Sequence, residues 1–89
     1  MPAPRPLQSI AERVDEALQA AVAAQRKPIL LVLGKEDYPA FQAWARTARG
    51  LDFALGDTYA GVPVQLNAPV FLSCLELQAV PGRPNAIRL

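Results

Sequence analysis

The 89-residue sequence contains no histidine and only one cysteine, Cys74. Most hydrolases, metalloenzymes and proton shuttles use imidazole, because it changes charge near neutral pH and binds metals. A histidine-based catalytic centre and a metal site of clustered cysteine and histidine are therefore excluded. A lone cysteine cannot form an internal disulfide, which excludes a disulfide-stabilised scaffold and favours a reducing compartment. The sequence predicts no metal, no cofactor and no enzymatic activity.

Charged residues are few, at 19% of the chain, whereas 52% of the residues are hydrophobic. Nine Lys and Arg against eight Asp and Glu give a net charge of +1, so the basic excess typical of nucleic-acid-binding proteins is missing. No stretch reaches the roughly 18 apolar residues of a membrane-spanning helix. We expect neither nucleic acid nor membrane as a partner. A chain this short and apolar is expected to bury surface against another subunit.

An amphipathic helix is predicted over residues 9–26. Ser9 and Glu12 have the spacing of a capping box, in which each side chain satisfies a free backbone N–H at the helix start. Pro28 ends the helix. Small residues on the opposite face near the C-terminal end either raise helix propensity, the preferred interpretation, or let another helix approach closely. The predicted core face consists of Ile10, Val14, Leu18 and Val22, flanked by Ala11, Ala17 and Ala21.

A short strand and a second helix are predicted next along the chain. The apolar run at residues 29–33 lies between a proline and a glycine, and its length favours a buried strand. Residues 36–49 begin with two acids and end with two arginines, as the helix dipole prefers. The aromatic side chains of this helix share one face, and we expect them in the core rather than in a ligand cage: Tyr38, Phe41 and Trp44.

Strands and turns dominate the second half of the sequence. A short strand is predicted at residues 52–55, and a longer one at 58–66 that is an edge strand or contains a bulge, because Pro63 lies within it. The longest strand candidate spans residues 70–80. This order predicts an α+β domain (α-β-α-β-β-β) with two helices packed on one face of a small, mostly antiparallel sheet.

The chain is expected to form a single domain with two short flanks. Residues 1–8 carry three alternating prolines, which favour an extended arm. This arm is either a frayed end, the commoner case, or a segment that lies on a neighbouring subunit. The domain itself is predicted over residues 9–82, and residues 83–89 are predicted to be a mildly basic tail.

Two short motifs resemble small proteins of tailed bacteriophages and prophages. Those proteins have an alanine-rich N-terminal helix, a strand, a G-x-E-D-Y-like helix start and a Y-x-G-V-P-V strand. The matching pieces are Gly-Lys-Glu-Asp-Tyr at residues 34–38 and Tyr-Ala-Gly-Val-Pro-Val at residues 59–64. The resemblance spans residues 9–66, but residues 67–69 replace the Pro-Pro-Gly turn of those relatives. It implies a phage-encoded structural or accessory protein, found in the virion or the bacterial cytoplasm.

The main candidate contact surface lies on the predicted strand at residues 70–80. Both faces of its first half are apolar, so the strand is either central in the sheet or covered on its second side. Because two helices shield only one side of a sheet, we predict that the longer apolar set faces a partner. If the helices cover that set instead, the side with Leu72 faces outward. The predicted contact set is Phe71, Ser73, Leu75 and Leu77.

The second helix adds two candidate contacts, Arg46 and Arg49, which lie three residues apart. Such a pair either binds an anion or an acidic partner, or belongs to a solvated face, which is the commoner case. Together these features favour a non-enzymatic protein-binding module, a virion-associated structural protein that assembles as a homo-oligomer. The alternative is a phage-encoded inhibitor or adaptor that binds a host protein. A defined oligomer in solution favours the first hypothesis, and a monomer favours the second.

Overall fold

The computed structural model describes residues 9–66 and 72–89. The predictions for the arm at residues 1–8 and for Phe71 lie outside these described residues. In the described part of the chain, no helix is long and apolar enough to cross a membrane. The elements in chain order are α1 (Ile10–Ala23), β1 (Pro28–Leu33), α2 (Asp37–Arg49), a 3-10 turn (Phe53–Leu55), β2 (Thr58–Tyr59), β3 (Val62–Leu66), β4 (Cys74–Leu77) and β5 (Ala86–Arg88).

The five strands form one sheet in the order β2-β3-β1-β4-β5. The central strand β1 pairs in parallel with β3, whereas the pairs β1–β4, β2–β3 and β4–β5 are antiparallel. Because β1 and β3 are parallel, the chain must return to the starting end of the sheet between them, and α2 makes this crossover. The predicted α+β class, with two helices and a mostly antiparallel sheet, is confirmed.

Local signals in the sequence set both ends of α1. The Ser9 Oγ accepts a hydrogen bond from the Glu12 N–H at 3.2 Å, as the capping-box spacing predicts. The helix ends at Ala23, before the predicted end at residue 26, because Gln25 adopts a left-handed φ of 56°. The Arg26 N–H then donates to a carbonyl in the last turn of the helix at 2.8 Å. This is the Schellman type of helix termination.

The core lies between the two helices and one face of the sheet. On α1 the buried residues follow the true helical period, so the predicted face is only partly right: Leu18 is half-buried, and Val22 is 72% exposed. A strict spacing of four residues drifts by about 40° per step around the helix, which carries Val22 out of the core. The largest fully buried side chains are Val14, Leu31, Leu33, Phe41 and Leu75.

Two predicted strands take other forms in the structure. The segment at residues 52–55 contains a 3-10 turn, because the Asp52 carboxylate accepts the Ala54 N–H at 3.0 Å and holds the backbone in a turn. The predicted strand at residues 58–66 is a hairpin made of β2 and β3. Both residues of its two-residue turn have positive φ, 51° and 78°, which matches the right-handed twist of the two strands.

The predicted tail at residues 83–89 is part of the sheet, so the predicted domain end at residue 82 is wrong. β5 forms within this segment because it pairs with β4, with Ile87 opposite Leu75. The side chains of Ile87 and Leu89 pack against the core. β4 itself has four residues and is shorter than the predicted strand at residues 70–80, and three of its residues pair with β5.

Candidate protein-interaction surface

The predicted contact set on the last long strand lies in the core. Ser73, Leu75 and Leu77 are all buried on the helix side of the sheet, and Leu75 is completely inaccessible to solvent. The prediction that these three residues face a partner is therefore wrong, because α1 packs on β4 and covers its longer apolar face. The other side of the strand faces outward, and the Leu72 side chain is 55% exposed.

Ser73 is a buried polar residue whose hydroxyl joins several elements. Its Oγ accepts the Gly34 N–H at 2.8 Å and donates to the Asp37 carboxylate at 2.5 Å. Arg13 on α1 forms an ion pair with the same carboxylate at 3.0 Å. The hydroxyl therefore has a partner both as donor and as acceptor, which is what a polar group in a core needs. The arrangement ties β1 and β4 to both helices and gives Ser73 a structural role.

The opposite face of the sheet is covered by neither α1 nor α2. The strand register defines the rows of side chains on this face. Cys74 of β4 lies between Val32 of β1 and Arg88 of β5, and Glu76 lies beside Leu30 of β1. Because side chains alternate along each strand, these residues point away from the buried set. We refer to this surface as the open sheet face, and it consists of Leu30, Val32, Cys74, Glu76 and Arg88, together with the exposed Leu72, which we assign to it because it precedes Cys74 by two residues.

The open sheet face has an apolar centre and a charged edge. Val32 on the central strand is buried among its neighbours, and Cys74 beside it is half-buried. Arg88 on the edge strand β5 is exposed, and so is Gln65, which pairs with Val32 from the other side. An apolar centre surrounded by polar groups is the usual composition of a protein–protein contact. The arrangement suits protein binding.

The thiol of Cys74 contributes to the apolar character of this face. Burial raises the pKa of the Cys74 thiol, and the neighbouring Glu76 carboxylate raises it further. The thiol is therefore protonated at neutral pH and is a weak nucleophile, since the thiolate is the reactive form. A protonated cysteine in this position behaves as a small hydrophobic side chain.

The two arginines predicted as contacts lie on the helix side of the molecule. Both are exposed on α2. Arg46 forms an ion pair with Asp52 at 3.3 Å, and the Arg49 guanidinium lies 5.6 Å from the centre of the Trp44 ring. Exposed ion pairs of this kind contribute little to stability. Because α2 packs on the opposite side of the sheet, the structure does not bring these arginines together with the open sheet face.

A polar cleft that the sequence did not predict lies between the two helices and the hairpin. The Tyr59 hydroxyl donates to the Asp15 carboxylate at 2.6 Å, and Arg49 and Leu51 complete the walls of a cleft of about 230 Å³. Burial raises the pKa of Tyr59 to about 12, with further contributions from the hydrogen bond to Asp15 and its charge. The two bonded residues are far apart in the chain, so no local spacing signals their contact.

An apolar groove of about 350 Å³ runs along the C-terminal half of α1. Four residues of the helix line it, and the most exposed large hydrophobic side chain among them is Val22. Sequence reasoning placed Val22 in the core, so this groove was missed. We refer to it as the α1 groove, and it consists of Leu18, Gln19, Val22 and Ala23.

Comparison with protein-family models, with curated proteins and with solved structures found no match for this chain. Across residues 9–66 and 72–89, no group of three or more cysteine and carboxylate side chains is placed to hold a metal ion. The open sheet face and the α1 groove are the candidate contact surfaces of the described residues.

Proposed function

We propose that this chain is a non-enzymatic protein-binding module, a virion-associated structural protein of tailed phages that assembles as a homo-oligomer through the open sheet face. The observation that carries the proposal is the one-sided cover of the sheet: α1 and α2 shield one face, and the other presents an apolar centre. A sheet face that the helices do not cover gains free energy when another subunit packs on its apolar side chains.

The gain on docking is expected to come mainly from the apolar centre. Full burial of a leucine side chain contributes about 1.5–3 kcal/mol, and Leu72 is 55% exposed, so covering it contributes about 1 kcal/mol. Leu30 and Cys74 add smaller amounts because they are already half-buried. The charged groups at the edge, Glu76 and Arg88, fix orientation more than affinity.

The resemblance to phage proteins supports the virion context. The motif at residues 34–38 lies at the start of α2. The motif at residues 59–64 forms the turn of the hairpin and the first half of β3. Both motifs therefore occupy positions where backbone geometry is demanding, at a helix start and at a turn with positive φ.

An inhibitor or adaptor of a host protein is the second candidate function. One observation favours it: Leu55 in the 3-10 turn is 83% exposed, and it lies between two acidic residues, Asp52 and Asp57. An exposed leucine flanked by acids suits a partner with a basic, apolar surface. In this case the chain acts as a monomer, and the loop around Leu55 is the contact.

Sedimentation equilibrium at tens of micromolar tests the two functions against each other. We expect the unchanged chain to form an oligomer, and we expect Leu72→Glu to lower the mass, because it places a charge on the open sheet face. Leu55→Glu is the matched control, since it adds the same charge at another exposed leucine and should leave the mass unchanged. A monomeric unchanged chain would contradict the oligomer and favour the host-protein function.

The virion context needs a separate measurement. Mass spectrometry of purified particles from a phage that encodes this chain should detect it in a fixed ratio to the other virion proteins. Its absence from particles, with abundant protein in the infected cell, would contradict virion association.

A further inference from the structure

We infer that the α1 groove is a second self-association surface, which binds the same groove of another copy with the two α1 helices antiparallel. This inference rests on the proposed function, since it names a second contact of the same oligomer. The groove lies on the helix side of the molecule, away from the open sheet face. A contact there leaves the open sheet faces of both copies accessible, so the two contacts are compatible in one assembly.

The exposed valine in α1 is not explained by helix formation. Val22 is 72% exposed, and a β-branched side chain loses rotamer freedom in a helix. At a solvated position, alanine or a charged residue forms a helix better. Leu18 lies one turn before Val22 and lines the same groove. An apolar pair at this spacing on the surface of a helix is the pattern by which helices dock into grooves.

The charge pattern along α1 favours a second copy of this chain as the partner that binds the α1 groove. Residues 17–25 contain no ionisable side chain, whereas three acids and one arginine lie in residues 12–16. Lys27 follows the helix and is exposed. The surface of α1 therefore has an acidic end, a neutral apolar middle and a basic end. Such a surface is complementary to itself when one copy is reversed.

The orientation follows from the same charge pattern. In an antiparallel pair centred near residue 21, Lys27 of one copy lies at the level of the acidic residues 12–16 of the other, and the symmetry makes this contact twice. The two helix dipoles are also opposed, which is favourable. A parallel pair would place the acidic ends side by side, where like charges repel. The geometry therefore points to a two-fold, antiparallel contact.

Substitutions on a background without the sheet contact test the inference. In Leu72→Glu the open sheet face is disabled, and we expect a dimer held by the α1 groove. Adding Val22→Glu should convert this dimer to a monomer, whereas adding Leu55→Glu as a matched control should leave it dimeric. Circular dichroism checks that each variant is folded, which is expected because the Val22 side chain is already largely solvated in the single chain.

The outcomes separate this inference from the proposed function. If the Leu72→Glu variant is monomeric, the inferred α1 contact is contradicted, whereas the proposed contact through the open sheet face is still supported. If Leu72→Glu has the mass of the unchanged chain, and Val22→Glu alone lowers that mass, the α1 contact stands and the open sheet face is not the interface. A dimer that persists in the variant with both Leu72→Glu and Val22→Glu overturns the α1 contact.

A charge exchange tests the antiparallel orientation. On the Leu72→Glu background, Lys27→Glu should raise the dissociation constant of the dimer about fivefold, because two symmetric attractive contacts become repulsive. Adding Glu12→Lys to the same chain should restore much of the affinity, since the opposite charges then face each other again. Unchanged affinity after Lys27→Glu, or no recovery with the second substitution, overturns the antiparallel arrangement.

Discussion

Tyr59 links the hairpin to both helices through one side chain. Its ring lies edge-on to Phe41, with a centroid distance of 5.0 Å, and edge-on to Trp44 at 5.9 Å. Its hydroxyl reaches across to α1 and donates to Asp15. A buried hydroxyl paired with a carboxylate is a charge-assisted hydrogen bond, which is stronger than a neutral one. The stability of the helix layer therefore depends on the protonated form of this phenol.

The raised pKa of Tyr59 predicts a loss of stability in alkaline solution. Its ordinary value is 10.0, and in the folded chain burial and Asp15 raise the pKa to about 12. The folded state holds the phenolic proton more tightly than the unfolded state, so the stabilisation is complete below about pH 10 and is lost as the pH rises to about 12. We expect the free energy of unfolding, measured with urea, to fall across this range.

Two phenylalanine variants identify the source of this pH dependence. Tyr59→Phe should remove the part of the alkaline loss of stability that comes from Tyr59. It should also lower the free energy of unfolding by about 1–2 kcal/mol at neutral pH, because the hydrogen bond to a carboxylate is gone. Tyr38→Phe, at the other tyrosine of the chain, should retain the alkaline loss. An equal pH dependence in Tyr59→Phe and the unchanged chain would contradict the assignment.

The aromatic residues of α2 differ in burial, and their truncation should differ accordingly. Phe41 is completely buried and stacks on Trp44 and Phe53, with centroid distances of 5.7 and 5.3 Å. Phe41→Ala is expected to cost about 4 kcal/mol. Trp44→Ala should cost about 2 kcal/mol, because part of the indole faces solvent beneath Arg49. Urea midpoints of the two variants measure the difference, and equal losses would contradict the burial order.

The elements governed by local signals were predictable from the sequence. The start of α1 follows from Ser9 and Glu12, and the end of α2 follows from Gly50, which has the left-handed φ of 68° typical of a helix C-cap. β5 was missed because it is only three residues long and forms through pairing with β4. A strand of this kind depends on its neighbour in space more than on its own composition.

For a related reason, the local sequence did not predict which face of β4 packs in the core. Leu75 points to the helix side of the sheet and Cys74 to the other side, and both sides of the segment are apolar in sequence, so alternation alone does not tell which side is covered. Ser73 lies in the core face between apolar residues. Its hydroxyl is acceptable in the core because Gly34 and Asp37, distant in the sequence, bond to it. The position of α1 over the sheet decides the face, and with it the candidate surface.

The arrangement of the whole molecule in two layers predicts opposite outcomes for two acidic substitutions in β4 and its lead-in. Leu75→Asp should abolish folding, because Leu75 has no exposed surface and an unpaired buried charge is very costly. Leu72→Asp should leave the fold intact, because that side chain is already largely solvated. Circular dichroism and one-dimensional proton spectra measure both. A folded Leu75→Asp chain would contradict the layer assignment.

The central strand β1 has consequences for how the chain is synthesised. Its two neighbours in the sheet, β3 and β4, follow it by more than thirty residues, with Leu31 paired to Val64 and Leu75. At a synthesis rate of about 5–20 residues per second, a few seconds pass between the synthesis of β1 and that of either neighbouring strand. Of the described elements, only α1 is made before it. We therefore expect residues 29–33 to be accessible to chaperones that bind extended apolar segments until β3 and β4 have left the ribosome.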